Sequence, residues 1–354
     1  MKNLTASLFI LSIALQSCIT HQAQFEGTPF EKQLSTKAQF DQIANYLQDS
    51  SYTTGMLVLQ NGKAIYEYGD LEQISYLASC RKSVLSMLYG KHVMNGTIDL
   101  KETIGRLGIS EEDGLLEQEL KATVDDIINS RSGVFHVAAN GGYDKGNFLE
   151  RGSVEPGKYF VYNNWDFNVA GHILEQKTGK SVYEELQEQL AIPLGFQDWN
   201  IKNQKKSGKK KNSQYLAYHM YLSTRDMAKI GQLMLQKGEW NGQQLISSAW
   251  IEKTTTAVTP SSVVSERYGT PNSRVMAYGY MWWLVESYKD NPIYKGAYTA
   301  SGYGGQFITV IPKLDMVIVH KTKLDLLTLG GIRYKDFGDV QYWEIVDRVV
   351  KAME

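Results

Sequence analysis

Cysteine is scarce in this chain, with only Cys18 and Cys80 among 354 residues, so no disulfide framework can hold the fold once Cys18 is removed or modified. Charge imbalance is equally absent. A formal net charge of -1 argues against a general electrostatic partner such as nucleic acid. Beyond the first residues no apolar run is long enough to span a bilayer. The six histidines include no pair at His-x-x-x-His spacing, so neither a metal nor a cofactor is expected. Gly-x-Ser-x-Gly does not occur, which argues against a strand–turn–helix nucleophile elbow. There is also no repeat, and no Pro-, Gly- or Ser-rich linker. The length therefore implies one elaborated domain or two intimately packed subdomains.

The N-terminus carries a different signal. Lys2 precedes an uncharged apolar stretch from Leu4 to Leu15, too short for a stable membrane span, as in an export signal. Leu15-Gln16-Ser17-Cys18 resembles the bacterial lipobox, apart from the atypical Gln16, and would make Cys18 the lipidated first residue of the mature protein. Residues 1–24 are then signal and tether, and residues 25–354 the folded domain. Several acyl chains hold a protein at a cell-envelope membrane, where one binds only marginally. The alternative is ordinary secretion, to periplasm or medium, with cleavage before Phe25.

Two strand-like runs, Gly55–Gln60 and Lys63–Tyr68, flank Asn61-Gly62, a dipeptide suited to a tight hairpin. From Ser79 to Val93 apolar residues recur at helical spacing, and helices are expected again at Thr123–Ile128, at Asp166–Gln176 with Gly179 as the stop, and from Thr224. Strands are expected at Gly279–Val285, Gln306–Ile311 and Met316–Lys321, and an apolar-faced helix at Val340–Met353. Lys202–Lys211, with six lysines, reads as a solvated loop. The simplest assembly is α+β: an antiparallel sheet built from both ends of the chain (about 25–90 and 265–354), flanked by helices, with a mainly helical subdomain inserted at about 91–264.

Three segments can carry chemistry. In Ser79-Cys80-Arg81-Lys82 the serine and lysine, three apart on a helix, share a face; a neighbouring amine in a desolvated setting can help take the serine proton. Near the helix start, the Ser79 N–H is a candidate oxyanion donor. Tyr162-Asn163-Asn164 offers a phenol able to shuttle a proton and, in Asn164, a donor and acceptor in one side chain. Ser301-Gly302-Tyr303-Gly304-Gly305-Gln306 leads into a strand; its glycines permit close approach of substrate to backbone, and the Gln306 N–H is a second candidate oxyanion donor. Cys80 lies about 100° around the helix from Ser79 and reads as a buried, unreactive thiol.

In this order the three segments resemble the serine beta-lactamase and penicillin-binding superfamily. Asn95–Leu100, Ser130-Arg131-Ser132-Gly133, Gly179-Lys180-Ser181, Pro193–Phe196 and Tyr278–Trp283 extend the likeness to its class C branch, with its 6-aminohexanoate-dimer hydrolases and esterases. The resemblance, from about Gly55 to Lys321, implies a beta-lactamase-like fold and a metal-independent serine hydrolase. Ser79 would attack a carbonyl, Lys82 and Tyr162 would manage its proton with either as the base, and water would release the acyl group. It also implies that His136 borders the substrate pocket; a solvent-facing histidine is the alternative. One departure stands out. Where penicillin-processing relatives carry Lys-Thr-Gly, this chain has Tyr303-Gly304-Gly305, which removes a cation suited to a substrate carboxylate and favours a small-molecule ester or linear amide. A true beta-lactamase or D-alanyl peptidase, or a non-catalytic sensor on the same fold, are the other readings.

Overall fold

The computed structural model describes residues 34–141, 145–322 and 338–353. Cys18 and the expected signal lie outside them. The helices are α1 (Leu34–Ser50), α2 (Cys80–Met94), α3 (Val124–Ile128), α4 (Asn164–Thr178), α5 (Val182–Leu186), α6 (Thr224–Leu235), α7 (Ser248–Thr254), α8 (Ser261–Tyr268) and α9 (Asp339–Met353). Seven strands form the main sheet: β1 (Thr53–Gln60), β2 (Lys63–Gly69), β3 (Val275–Gly279), β4 (Trp282–Ser287), β5 (Tyr298–Gly302), β6 (Gln306–Ile311) and β7 (Met316–Thr322). Their order is β2-β1-β7-β6-β5-β4-β3, every neighbouring pair antiparallel. This is the α+β beta-lactamase-like architecture expected, with the first two strands seated beside the last.

Side chains alternate across a pleated strand, and here both faces are covered. Met56, Val58, Phe307, Ile311, Met316 and Ile318 point into one core with α1 and α9; Leu57, Leu59, Ile308, Val310, Val317 and Val319 point into the other with α2 and α6. Double burial explains why these strands read as continuous apolar runs. α6 packs against β1, β6 and β7, and its Gly231 has no Cβ to strike Val317. The predicted hairpin is present, with Asn61 (φ 50°) and Gly62 (φ 73°) in the left-handed region its turn requires.

Several elements depart from the sequence reading. The run from Gly279 to Val285 is not one strand: Tyr280 (φ 46°) and Met281 (φ 68°) turn the chain between β3 and β4. Neither residue favours that conformation, and the turn is held from outside. Asn129 accepts the Tyr280 N–H at 2.7 Å, and the Ser83 hydroxyl donates to the Met281 carbonyl at 2.6 Å. The lysine-rich stretch is more than a loop, since Lys205–Ser207 pairs with Ala217–His219. α4 begins at Asn164, two residues before Asp166, because Asn163 caps it by accepting the Trp165 N–H at 3.0 Å. α1, α5, α7 and α8 were not anticipated, nor was the strand β5.

Candidate active site

The site grows from the first turn of α2. Ser79 is its N-cap residue, with no side-chain capping bond, and is partly exposed. Ala78 before it sits at φ 49°, a strained conformation for a residue with a Cβ. Three residues on, Lys82 is only 1 % exposed. Its ammonium lies 3.9 Å from the centroid of the Tyr162 ring and 4.2 Å from that of Phe167. Lys82, three residues after Ser79, therefore meets the tyrosine segment.

Tyr162 is held from both sides of its backbone. Its N–H donates to the Tyr268 hydroxyl at 3.1 Å. Ser130, itself at φ 56°, donates its hydroxyl to the Val161 carbonyl at 2.7 Å and accepts the Asn163 N–H at 3.1 Å. The Tyr162 ring packs among Phe167, Tyr278 and Trp283, at centroid distances of 4.9, 6.1 and 5.6 Å. Asn164, in the first turn of α4, donates to the Gly141 carbonyl at 3.0 Å. Asp166 below it is fully buried and accepts the Ser132 hydroxyl at 2.7 Å; burial holds its carboxyl well above the usual carboxylate range. The Ser130–Gly133 motif thus fixes the tyrosine segment from behind.

The third segment closes the site. Gly302 and Gln306 are ladder partners at the adjoining ends of β5 and β6. A Cβ on Gly302 would lie 2.5 Å from the Leu77 carbonyl oxygen and 3.2 Å from Cys80 Sγ, so only glycine lets the start of α2 approach β5 this closely. The Cys80 thiol donates to the Gln306 carbonyl at 3.1 Å, and burial pushes it up, away from the reactive thiolate, as its sequence position implied. Gly302 and Gln306 lie directly opposite across the three-residue turn, so the Gln306 N–H faces the Gly302 carbonyl in the ladder and is not a free oxyanion donor. Tyr303, Gly304 and Gly305 form the turn between the two strands, with Gly304 at φ 73° and Gly305 at φ 97°. Tyr303 projects from it, 66 % exposed.

Two residues that the sequence reading missed tie this turn down. Thr322 donates its hydroxyl to the Gly304 carbonyl and accepts from the Gln306 side chain at 2.8 Å. His320 sits 2.7 Å from the Gly305 carbonyl. A polar residue breaking the apolar run of β7 was the available signal. His136 is neither solvent-facing nor open: it is 7 % exposed, with Nε2 2.9 Å from Asp113 and Nδ1 3.0 Å from the Val137 carbonyl. Among the described residues no group of three or more His, Cys, Asp or Glu is placed to hold a metal ion.

With this geometry in place, comparison with known proteins decides the family. The Beta-lactamase family model matches residues 40–324. The chain belongs to the Beta-lactamase family. Membership makes it a hydrolase of the serine type in general. An uncharacterized protein of Alkalihalophilus pseudofirmus is 24% identical over 271 residues, 69% of this chain and 72% of that one. A Bacillus anthracis protein described as a 6-aminohexanoate-dimer hydrolase superimposes with a TM-score of 0.64 at 20% identity, covering 87% of this chain and 80% of its own. EstCE1, a hydrolase with promiscuous acyltransferase activity, gives 0.64 at 14%, covering 89% and 98%. A simvastatin synthase variant of Aspergillus terreus gives 0.66 at 15%, covering 92% and 98%. At these identities the structural likeness establishes the Beta-lactamase fold alone.

Proposed function

We propose that this member of the Beta-lactamase family hydrolyses small esters or uncharged linear amides through an acyl-enzyme on Ser79, and that lipid on Cys18 holds it at a cell-envelope membrane. The observation that carries the catalytic reading is the convergence at the start of α2: Lys82 against the Tyr162 ring at 3.9 Å, and Gln306 bonded through its carbonyl to Cys80 at 3.1 Å. Ser79 Oγ attacks the substrate carbonyl carbon as its proton passes to the Lys82–Tyr162 pair. The oxyanion forms against the Ser79 N–H at the start of α2. Collapse expels the alcohol or amine, which takes the proton, and water then releases the acid and restores Ser79. The scheme calls on no cofactor or metal.

Substrate class follows from Tyr303. The position that carries a cation on the third strand of penicillin-processing relatives is here an exposed phenol in the turn between β5 and β6. Substrates without a carboxylate at that position lose nothing, whereas a penicillin loses a charge-assisted contact.

Ser79→Ala tests the mechanism. Because the Ser79 side chain makes no capping bond, the variant keeps its fold, with Tm within about 2 °C of wild type, and loses turnover. A fluorophosphonate probe labels wild type on Ser79, located by mass spectrometry, and leaves the variant unlabelled. Hydrolysis by a folded Ser79→Ala protein would refute the scheme.

A further inference from the structure

Acidic residues are absent between Asp198 and Asp226, and within that stretch Lys202, Lys205, Lys206, Lys209, Lys210 and Lys211 fall close together. All six lysines are exposed. Among the described residues only Lys206 of the six forms an ion pair, with Glu175, so the other ammonium groups stand uncompensated in a chain whose net charge is -1. A run of like charges commonly repels itself into a solvated coil. Here the backbone holds it. Lys205–Ser207 pairs antiparallel with Ala217–His219, and the Lys209 N–H donates to the Ala139 carbonyl at 2.7 Å. The Asn212 N–H then closes a turn on the Lys209 carbonyl at 2.8 Å.

The ribbon is tied to two walls of the candidate active site. Past His219, the Met220 carbonyl accepts the Leu77 N–H at 2.9 Å, and Tyr221–Leu222 pairs with Ser75–Tyr76, just before Ser79. The His219 ring adds a side-chain tie, with Nδ1 3.0 Å from the Tyr76 hydroxyl. On the other side, Ala139 stands two residues before Gly141, whose carbonyl accepts the Asn164 amide at 3.0 Å. The ribbon therefore keeps a fixed orientation relative to Ser79 and Asn164, and whatever binds the lysines also sets the direction in which the site faces.

We propose that the Lys202–Lys211 ribbon is a docking surface for an anionic phospholipid bilayer. This goes beyond the hydrolase reading and stands whether or not Ser79 is the nucleophile. Charge complementarity selects the partner. Ammonium groups on long flexible stems suit a layer of phosphodiester headgroups, which rewards charge density and demands no fixed geometry. Nucleic-acid surfaces add arginine forks and aromatic stacking platforms, and the ribbon contains neither Arg nor an aromatic residue from 202 to 211. Each lysine at such a membrane surface strengthens partitioning roughly fivefold, an effect that fades with salt. Anchorage stays with Cys18; the ribbon sets which face of the folded domain meets the bilayer.

The test is co-sedimentation of the whole chain with vesicles of phosphatidylcholine alone and of phosphatidylcholine containing about 30 % phosphatidylglycerol, at about 50 and 300 mM salt. Every protein compared carries Cys18→Ala, so that lipid on Cys18 contributes nothing. The parent protein should bind the anionic vesicles at least about tenfold more tightly than the neutral ones at low salt, and the excess should disappear at high salt. Substituting Lys205→Gln, Lys209→Gln, Lys210→Gln and Lys211→Gln together should weaken anionic binding about a hundredfold, with an unchanged Tm because these side chains are exposed. The same loss of charge spread over other exposed lysines, as Lys63→Gln, Lys101→Gln, Lys237→Gln and Lys295→Gln, should leave binding within about threefold. Equal binding to both kinds of vesicle, full binding by the ribbon variant, or an equal loss in the dispersed variant would each overturn the proposal. So would binding to duplex DNA without binding to the vesicles. Ser79→Ala should dock like the parent, which separates the two ideas: hydrolysis surviving that substitution sinks the acyl-serine reading alone, and failure to dock sinks this inference alone.

Discussion

Tyr303 is the residue on which substrate choice turns. A charge-assisted hydrogen bond contributes about 1.5–3 kcal/mol, or roughly one to two orders of magnitude in transition-state preference. The wild-type protein should therefore have a higher kcat/KM for a short p-nitrophenyl ester than for a cephalosporin, and Tyr303→Lys should narrow the gap by about ten- to a hundredfold. Measuring both substrates on both proteins checks this, and a wild-type preference for the cephalosporin would show that another group anchors the carboxylate. Ser79, Lys82 and Tyr162 were legible in the sequence because a three-residue spacing on a helix, or a short polar motif at a helix start, is local information. His320 was not, because its meaning depends on a turn fifteen positions earlier in the chain.

At the scale of elements, β7 bears three consecutive polar residues in a strand buried from Met316 to Thr322. His320 and Thr322 hold the turn, while Lys321 donates to the carbonyls of Ser75 and Leu222, the ladder partners of a two-stranded ribbon beside the site. Burial depresses the Lys321 amine to about 7 from its ordinary 10.5. Between those pH values the unfolded chain holds the proton that the folded one has lost, so stability rises with pH across the window. Lys321→Met should flatten that rise, read as Tm from pH 7 to 10, even though leaving two carbonyls unpaired lowers Tm throughout. An unchanged slope would mean that the amine stays charged in the fold. The sequence showed β7 and α2 because their apolar content is dense. It hid the Tyr280–Met281 turn, which lacks Gly or Asn and is imposed by Asn129 and Ser83. α1 was overlooked although Phe40, Ile43 and Leu47 mark its buried stripe.

For the whole molecule, the sheet assembled from both ends of the chain was legible because its strands are apolar runs in the first and last thirds. Their order was not, since pairing such as Leu57 with Val319 is decided by tertiary packing. Location is a separate matter. No helix among the described residues is long and apolar enough to cross a membrane, so attachment in this proposal rests on Cys18. A fatty-acid analogue fed to expressing cells should label the wild-type protein and not Cys18→Ala, and equal labelling of both would refute the anchor.

The close approach of Cys80 to Gln306 has a temporal consequence. The two residues are 226 positions apart, so the nucleophile leaves the ribosome long before the strand that holds the start of α2 has been translated. Contacts this distant form late and slowly. A nascent or truncated chain ending before β6 carries Ser79, Lys82 and Tyr162 but has no Gln306 carbonyl for Cys80 and no strand for α2 to rest against. Under the proposed mechanism, hydrolytic power is acquired in a single step near the end of folding, and the unfinished protein is harmless to its surroundings.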